Sequence, residues 1–193
     1  MPNWTAILKD GGVIGDEPFC GRPFVCNYNG FPDECDVVFI GECPKNSLGD
    51  WRELWDYNLG FKYDAFIKCY RQRVAKTSKT REFYSCLRKN FGCKSIETNV
   101  CCCSSHRHGS NRLRYYCFCN RDVLNVLLKN LPQEKRIGIV PHGNPAREFI
   151  ETFSVPETWE VIFPPVKQIG WASKHERERV EEFCEDIVSG VSF

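Results

Sequence analysis

The fold is decided by one short apolar run, Asp36-Val37-Val38-Phe39-Ile40-Gly41. Its β-branched residues do not alternate with polar ones, which is typical of a strand buried on both faces of a parallel sheet, and Gly41 ends it. Three further segments are predicted to be strands, at residues 96–102, 136–140 and 158–163. The sequence therefore predicts four strands.

Helical patterns fill the intervals between these strands. Residues suited to begin a helix stand before each pattern: Asp50, Asp64, Thr80, Asn120, Asn144 and Ser173. The helix predicted after Asp50 includes Trp55, and Glu176 completes a capping box with Ser173. Right-handed crossovers between parallel strands place helices on both faces of a sheet. We therefore expect an α/β fold, a three-layer sandwich with a central, mostly parallel four-stranded sheet.

Length and composition fit an ordinary globular chain. It has 193 residues, of which 42% are hydrophobic and 26% charged, and a chain of this size buries a substantial core. We expect a single domain over residues 1–193. Residues 1–34, rich in Gly, Pro and Asn, are predicted to be an irregular lead-in, and residues 36–188 the α/β core.

The cysteines indicate a reducing compartment. Their number, 13, is odd, three of them are consecutive at 101–103, and no basic segment followed by an apolar one opens the chain. No apolar run approaches the roughly 20 residues that span a bilayer. We expect a soluble, monomeric, cytoplasmic or nuclear protein that does not associate with membranes.

The net charge is only +1, but it is distributed unevenly. Basic residues crowd positions 68–94, and acidic ones crowd the last predicted helix at 176–186. The basic run is either a solvated helical face or a surface that contacts phosphates beside a binding pocket. In the second case the acidic helix should lie on the side of the protein away from the DNA, because carboxylates near a duplex oppose binding.

Ligands of such folds bind beyond the carboxyl ends of the strands, and those segments carry a family resemblance. Ile40-Gly41-Glu42-Cys43-Pro44 resembles the first motif of the uracil-DNA glycosylase superfamily, in the Gly-Glu-x-Pro form of its iron–sulfur branch. Glu97-Thr98-Asn99-Val100 resembles the Thr-Asn-Val strand of that branch, and Gly143-Asn144-Pro145-Ala146 its Leu-Gly-x-x-Ala turn. Phe163-Pro164-Pro165 stands where a His-Pro-Ser-type second motif lies. The resemblance runs from about Asp36 to Val188.

This resemblance implies a DNA glycosylase that flips a deaminated or damaged base and hydrolyses its N-glycosidic bond. Glu42 would polarise water or stabilise the sugar cation from a partly desolvated position, and the Asn99 amide would bond the flipped base. The other implied base contacts are Gly41, Pro44 and Phe61, the last as an aromatic platform. Plain alternatives are a Glu42 held by helix amides and an Asn99 bonded to neighbouring backbone.

The second motif departs from the family, which carries there a histidine that stabilises the anion developing on the base. Either His142, His106 or His108 replaces it, with His142 as our catalytic candidate, or the activity is altered or absent. Adjacent loops provide the predicted DNA contacts: Arg107, Arg112, Lys167 and Gln168. The alternatives are a non-catalytic nucleic-acid or protein binding module of the same fold, or a nucleoside or nucleotide hydrolase.

A metal cluster is also implied in part. In the resembling branch, a pair at the place and spacing of Cys103 and Cys119 holds two corners of a four-iron, four-sulfur cluster. Cys20 and Cys26 are too far apart to match the other pair, so we expect no metal or cofactor. Those four cysteines are the ligand candidates if a cluster is present. A zinc site near residues 101–119 lacks the usual Cys-x-x-Cys spacing.

Overall fold

The computed structural model describes residues 24–42, 55–56, 60–73, 79–100, 124–165 and 172–190. Two compact units divide the chain. The first comprises Met1–Pro23, Cys43–Lys76 and Val100–Asn130, and the second Phe24–Glu42, Thr77–Asn99 and Leu131–Phe193. The expectation of a single domain stays a prediction.

Strands and helices alternate along most of the described chain. In chain order they are β1 (Phe24–Cys26), β2 (Val37–Gly41), β3 (Trp55–Asp56), β4 (Gly60–Phe61), α1 (Tyr63–Arg73), α2 (Lys79–Phe91), β5 (Ser95–Asn99), α3 (124–130), β6 (Ile137–Pro141), α4 (Asn144–Thr152), β7 (Trp159–Val161) and α5 (Lys174–Ser189). A short 3-10 helix, Pro32–Glu34, precedes β2.

The first unit contains the hairpin of β3 and β4 together with α1 and α3. Trp55 pairs with Phe61 in the hairpin, so the helix predicted to include Trp55 is wrong at that residue. In α1, Phe66 is fully buried between Tyr63 and Tyr70, with ring centroids 6.2 and 5.5 Å away. These rings share one helical face, as the spacing of three and four residues requires.

The second unit is built on a five-stranded sheet of order β1-β5-β2-β6-β7. All neighbouring pairs are parallel except β1 with β5. The α/β class and the mostly parallel sheet are thus confirmed, but the sheet has five strands rather than four. The extra strand, Phe24–Cys26, is buried and lies inside the stretch predicted to be irregular. Three residues are too few to show a periodic pattern, which is why the sequence did not reveal it.

Helices α2 and α5 pack on one face of this sheet. Their apolar residues form a single cluster with alternate strand residues: Val37, Phe39, Phe83, Tyr84, Leu87, Cys93, Val140, Ala172, Val180, Cys184 and Ile187. Gly138 permits the close approach of α5, because a Cβ there would lie 2.8 Å from a ring carbon of Phe183. Helix α4 contributes nothing to this cluster and contacts β2 and β6.

Two helix starts test the predicted caps. Ser173 accepts a hydrogen bond from the Glu176 backbone N–H while the Glu176 carboxylate accepts one from the Ser173 N–H, so the predicted capping box is confirmed. Asn144 is not a cap. Gly143 occupies that position, and Asn144 and Pro145 begin α4. The φ of Gly143 is 86°, a conformation that asparagine would adopt only with strain.

The position of α5 overturns one expectation about charge. The acidic C-terminal helix packs beside the basic helix α2 on the same face of the sheet, so the acidic and basic helices do not lie on opposite sides. In addition, Arg88 and Lys89 occupy the last turn of α2, just before β5 begins. They therefore lie at the end of the sheet where strands start, opposite to the end where ligands of such folds bind.

Four charged residues lie at this end of the sheet, which we call the amino edge: Glu34, Asp36, Lys94 and Lys135. Their side chains form ion pairs and hydrogen bonds with one another and with nearby backbone groups. The Lys135 ammonium donates to the Glu34 and Cys35 carbonyls at 2.9 and 2.7 Å and to Asp36 Oδ1 at 3.0 Å. Asp36 Oδ2 accepts the Lys94 backbone N–H at 2.9 Å, and Lys94 Nζ lies 2.8 Å from Glu34 Oε2. That last hydrogen bond lowers the pKa of Glu34 and raises the pKa of Lys94. The network joins the starts of β2, β5 and β6.

None of the helices in the described ranges combines the length and the apolar character that crossing a membrane requires.

Candidate functional site

The chain reverses direction across the sheet between β2 and β6. From β2 it continues to β5 on one side, whereas from β6 it continues to β7 on the other. In open parallel sheets, the crevice at such a switch point, beyond the carboxyl ends of the strands, is where ligands bind. Gly41 ends β2 at this point and Glu42 follows it, and His142 and Gly143 follow β6. We define these ends, with Asn99 of β5 and residues 163–165 after β7, as the carboxyl edge.

Three predicted site residues meet there. A Cβ atom placed on Gly41 would lie 2.8 Å from Asn99 Oδ1, and 3.0 and 3.4 Å from His142 Cε1 and Nε2. Cβ atoms essentially never come within 3.0 Å of a non-bonded heavy atom. A side chain at position 41 would therefore displace the amide or the imidazole from its present place over the end of β2.

The sheet register explains why these three residues lie side by side. Gly41 pairs with Asn99, and Ile40 pairs with Pro141, so that His142 follows beside Gly41. The His142 N–H donates to the Ile40 carbonyl at 2.9 Å, which extends the β2–β6 pairing. Asn99 is 4% exposed and His142 is 8% exposed. Both polar groups are thus held, largely desolvated, above a strand end that has no side chain.

Glu42 adjoins this group but differs from the expectation. Its side chain is exposed rather than partly desolvated, and within the described residues it has no hydrogen bond or ion pair. The Glu42 carboxylate therefore contacts water directly, one residue after Gly41, over which the buried Asn99 and His142 side chains meet. Its catalytic role stays a prediction.

The segment at the second-motif position is fixed by a residue that sequence reasoning missed. Arg147, in the first turns of α4, donates from Nη2 to the Pro164 carbonyl at 2.5 Å. Its guanidinium carbon also lies 5.7 Å from the centroid of the Phe163 ring. No local pattern signals this contact, since residues 147 and 163 are brought together only by the β6-α4-β7 crossover.

A second missed feature is an ion pair behind Asn99. Glu97, two residues earlier on the same face of β5, pairs with Arg81 of α2, and both side chains are nearly buried, at 13% and 10% exposed. Arg81 also donates to Asn27 Oδ1 at 2.6 Å and lies over the Tyr84 ring. A glutamate flanked by Ile96 and Thr98 in a buried strand signals that a cation is needed, although it does not identify which one.

The other predicted site residues are distributed differently. Phe61 lies in β4 of the first unit. Several lie outside the described residues: Pro44, His106, Arg107, His108, Arg112, Lys167 and Gln168. Their roles stay predictions.

Among the cluster candidates, Cys26 lies in β1 and is buried, and Cys20, Cys103 and Cys119 fall outside the described residues. In the described ranges, no three His, Cys, Asp or Glu side chains are grouped so as to hold a metal ion. Burial raises the pKa of the Cys35 and Cys184 thiols, which disfavours the thiolate that metals bind. Metal content stays a prediction.

No protein-family model matches the sequence, and a search of curated proteins finds no match.

Proposed function

We propose that this chain is a DNA glycosylase-like protein of three-layer, uracil-DNA glycosylase-like architecture, which extrudes a deaminated or damaged base and hydrolyses its N-glycosidic bond. One observation carries the proposal. An amide and an imidazole converge, largely buried, over a strand end that has no side chain, at the switch point of a parallel sheet.

Recognition of the base is assigned to Asn99. A side-chain amide presents a donor and an acceptor together, which matches the hydrogen-bonding edge of an extruded base. Because Asn99 is largely desolvated, water competes little for its hydrogen bonds, so the amide discriminates between a base with matching groups and one without them. In the proposal, Gly41 keeps the approach to Asn99 open.

Bond cleavage is divided between His142 and Glu42. As the bond between the base nitrogen and the sugar carbon breaks, its electron pair passes to the base, and an imidazole N–H of His142 stabilises that charge. His142 thereby replaces the second-motif histidine, for which this chain has Phe163. Glu42 orients a water molecule towards the sugar carbon, stabilises the positive charge there and accepts the water proton. Its exposure gives it ready access to that water.

The proposal is completed by a monomer that binds double- or single-stranded DNA and acts in the cytoplasm or nucleus. Arg107, Arg112, Lys167 and Gln168 are assigned to the DNA backbone and groove. No metal or cofactor is assigned to any step.

Exposure of Glu42 also favours a second candidate, a non-catalytic module that binds an extruded base without cleaving it. Catalytic carboxylates are usually partly desolvated, whereas the Glu42 side chain is exposed. In that case Asn99 and His142 would retain binding while excision would be absent.

The test is an excision assay on duplex and single-stranded oligonucleotides that carry uracil, hypoxanthine or xanthine, followed by alkaline cleavage of abasic sites. Glu42→Gln should abolish most excision and preserve binding, and Glu82→Gln, an exposed glutamate of α2, is the matched control. Binding without excision by the wild-type protein would select the binding module. Cleavage of free nucleosides but not oligonucleotides would select a nucleoside hydrolase.

A further inference from the structure

We infer that Arg147 and Phe163 form a second subsite, which binds the DNA nucleotide next to the extruded one, with its phosphate on Arg147 and its base on Phe163. This inference rests on the proposed function, because it names the partner of the same carboxyl edge. It adds Arg147, which belongs to none of the motifs in the sequence, and gives Phe163 a stacking role that the second motif does not imply.

The position of the pair places it beside the base site. The Arg147 backbone N–H donates to the Gly143 carbonyl at 3.2 Å, so Arg147 stands one helical turn from the residue that follows His142. Phe163 comes two residues after β7, whose partner strand β6 ends immediately before His142. Both residues therefore belong to the carboxyl edge of the sheet.

The exposure of the Phe163 ring needs an explanation. Phe163 is 39% exposed, and the other large apolar residues exposed in the described ranges are Phe31 and Val188. Phe31 precedes β2 and lies at the amino edge, which leaves Phe163 as the exposed aromatic at the carboxyl edge. An accessible ring offers a flat surface on which any base stacks, with a sequence-independent gain.

The Arg147 guanidinium is already held in place. A carbonyl bond and the Phe163 ring fix its plane, so little side-chain entropy remains to be lost when a ligand binds. Within the described residues it has no carboxylate partner, and one of its five N–H groups is used. A fixed guanidinium with spare donors beside an exposed ring suits a phosphodiester, whose oxygens accept two parallel N–H bonds.

The opposite edge of the sheet supplies matched controls. Arg88 likewise donates to a backbone carbonyl, that of Asn27, at 3.2 Å, and Phe31 is likewise exposed, at 45%. Both lie at the amino edge. Arg88→Gln and Phe31→Ala therefore remove the same chemical groups as Arg147→Gln and Phe163→Ala, but from the end of the sheet that carries no base site.

The experiment measures binding of a fluorescein-labelled short duplex carrying a tetrahydrofuran abasic analogue, by anisotropy, over a series of KCl concentrations. Arg147→Gln should weaken binding and lower the slope of log affinity against log salt by about one unit. Phe163→Ala should weaken binding about tenfold without changing the slope, and Phe163→Trp should restore it. The two control variants should bind as the wild type does. Circular dichroism verifies folding, and the Phe163 series decides the matter if Arg147→Gln does not fold.

Each outcome separates the two proposals. Wild-type binding and excision, unchanged in the Arg147 and Phe163 variants, would overturn the subsite and leave the glycosylase intact. An unaltered salt slope in Arg147→Gln would overturn the phosphate contact and identify Arg147 as a clamp for residues 163–165. Duplex binding with the predicted variant effects but no excision would support the subsite and reject the catalytic proposal. No binding to duplex or single strand at low salt would overturn both.

Discussion

The two edges of the five-stranded sheet use polar residues in opposite ways. At the amino edge, four charged side chains are matched in ion pairs with one another and with backbone groups. At the carboxyl edge, a neutral amide and an imidazole meet over Gly41, and an exposed carboxylate and an exposed ring stand beside them. Charges that satisfy each other stabilise the fold, whereas largely desolvated neutral polar groups at a strand-end crevice are suited to a ligand. Substitutions at the two edges should therefore separate stability from function.

The largest effect is expected between the edges, at the Arg81–Glu97 pair. Glu97→Leu should lower the free energy of unfolding by about 3–5 kcal/mol, because it leaves a nearly buried guanidinium without its counter-charge. Denaturant unfolding measures this. The double variant Arg81→Met/Glu97→Leu should recover most of the loss, and a double variant as unstable as the single one would show that the charge pair is not the cause.

At the carboxyl edge, function should fall more than stability. Asn99→Ala and Glu42→Ala should each lower excision by roughly 10²-fold, because these groups act on the flipped base or in the transition state. Single-turnover excision assays measure this, with unfolding curves in parallel. For Glu42→Ala the stability should be unchanged, since its side chain is exposed. Wild-type rates in both variants would remove these residues from the mechanism.

The amino edge should show the reverse. Lys135→Met should lower the free energy of unfolding by about 1–3 kcal/mol, because two carbonyls and one carboxylate lose a charged donor. Excision by the folded protein should not change. A variant of normal stability but reduced excision would contradict the division between the edges.

The smallest effect concerns pH at the same edge. The pKa of Glu34 is lowered in the folded protein, so its pairing stabilises above the unfolded pKa and is lost as pH falls through the folded pKa. The pKa of Lys94 is raised, so its share is present at neutral pH and is lost only in strong alkali. Glu34→Gln should therefore be slightly less stable than the wild type at neutral pH and equal to it in acid, as denaturant unfolding at a series of pH values would show. A difference that persists in strong acid would exclude this pair as the cause.

Local patterns predicted most of the regular elements. Three predictions agree with the structure within a few residues: the strand before Gly41, the Leu87-containing helix that ends at Gly92, and the capping box at Ser173. They agree because burial and capping depend on residues that are neighbours in the sequence. The helix predicted at Trp55 was wrong because local information alone was used. An aromatic residue at helical spacing fits a hairpin equally well, and only tertiary pairing decides between helix and hairpin.

The site was predictable only where it follows directly from strand ends. Gly41, Asn99 and His142 could be grouped from sequence because the carboxyl ends of parallel strands share one edge. The Arg147–Phe163 and Arg81–Glu97 contacts could not, because each depends on which helix crosses which strand. Exposure of Glu42 was equally invisible, since it depends on what surrounds the end of β2.

The short outer strands of the sheet bear on self-association. Among the strands that the structure describes, β1 and β7 are the outermost and have three residues each, whereas the strands between them have five. A strand at a margin can pair its outward N–H and C=O groups with any other extended chain, and the number of such groups increases with the length of the strand. β7 also carries Glu160, which pairs with Arg136 at 2.5 Å. A strand added beside β7 would therefore find few backbone partners and would also meet charged side chains. Short marginal strands give an unfolding or newly made neighbour few groups to pair with, which lowers the risk of aggregation in a chain whose central strands β2 and β6 are almost wholly apolar.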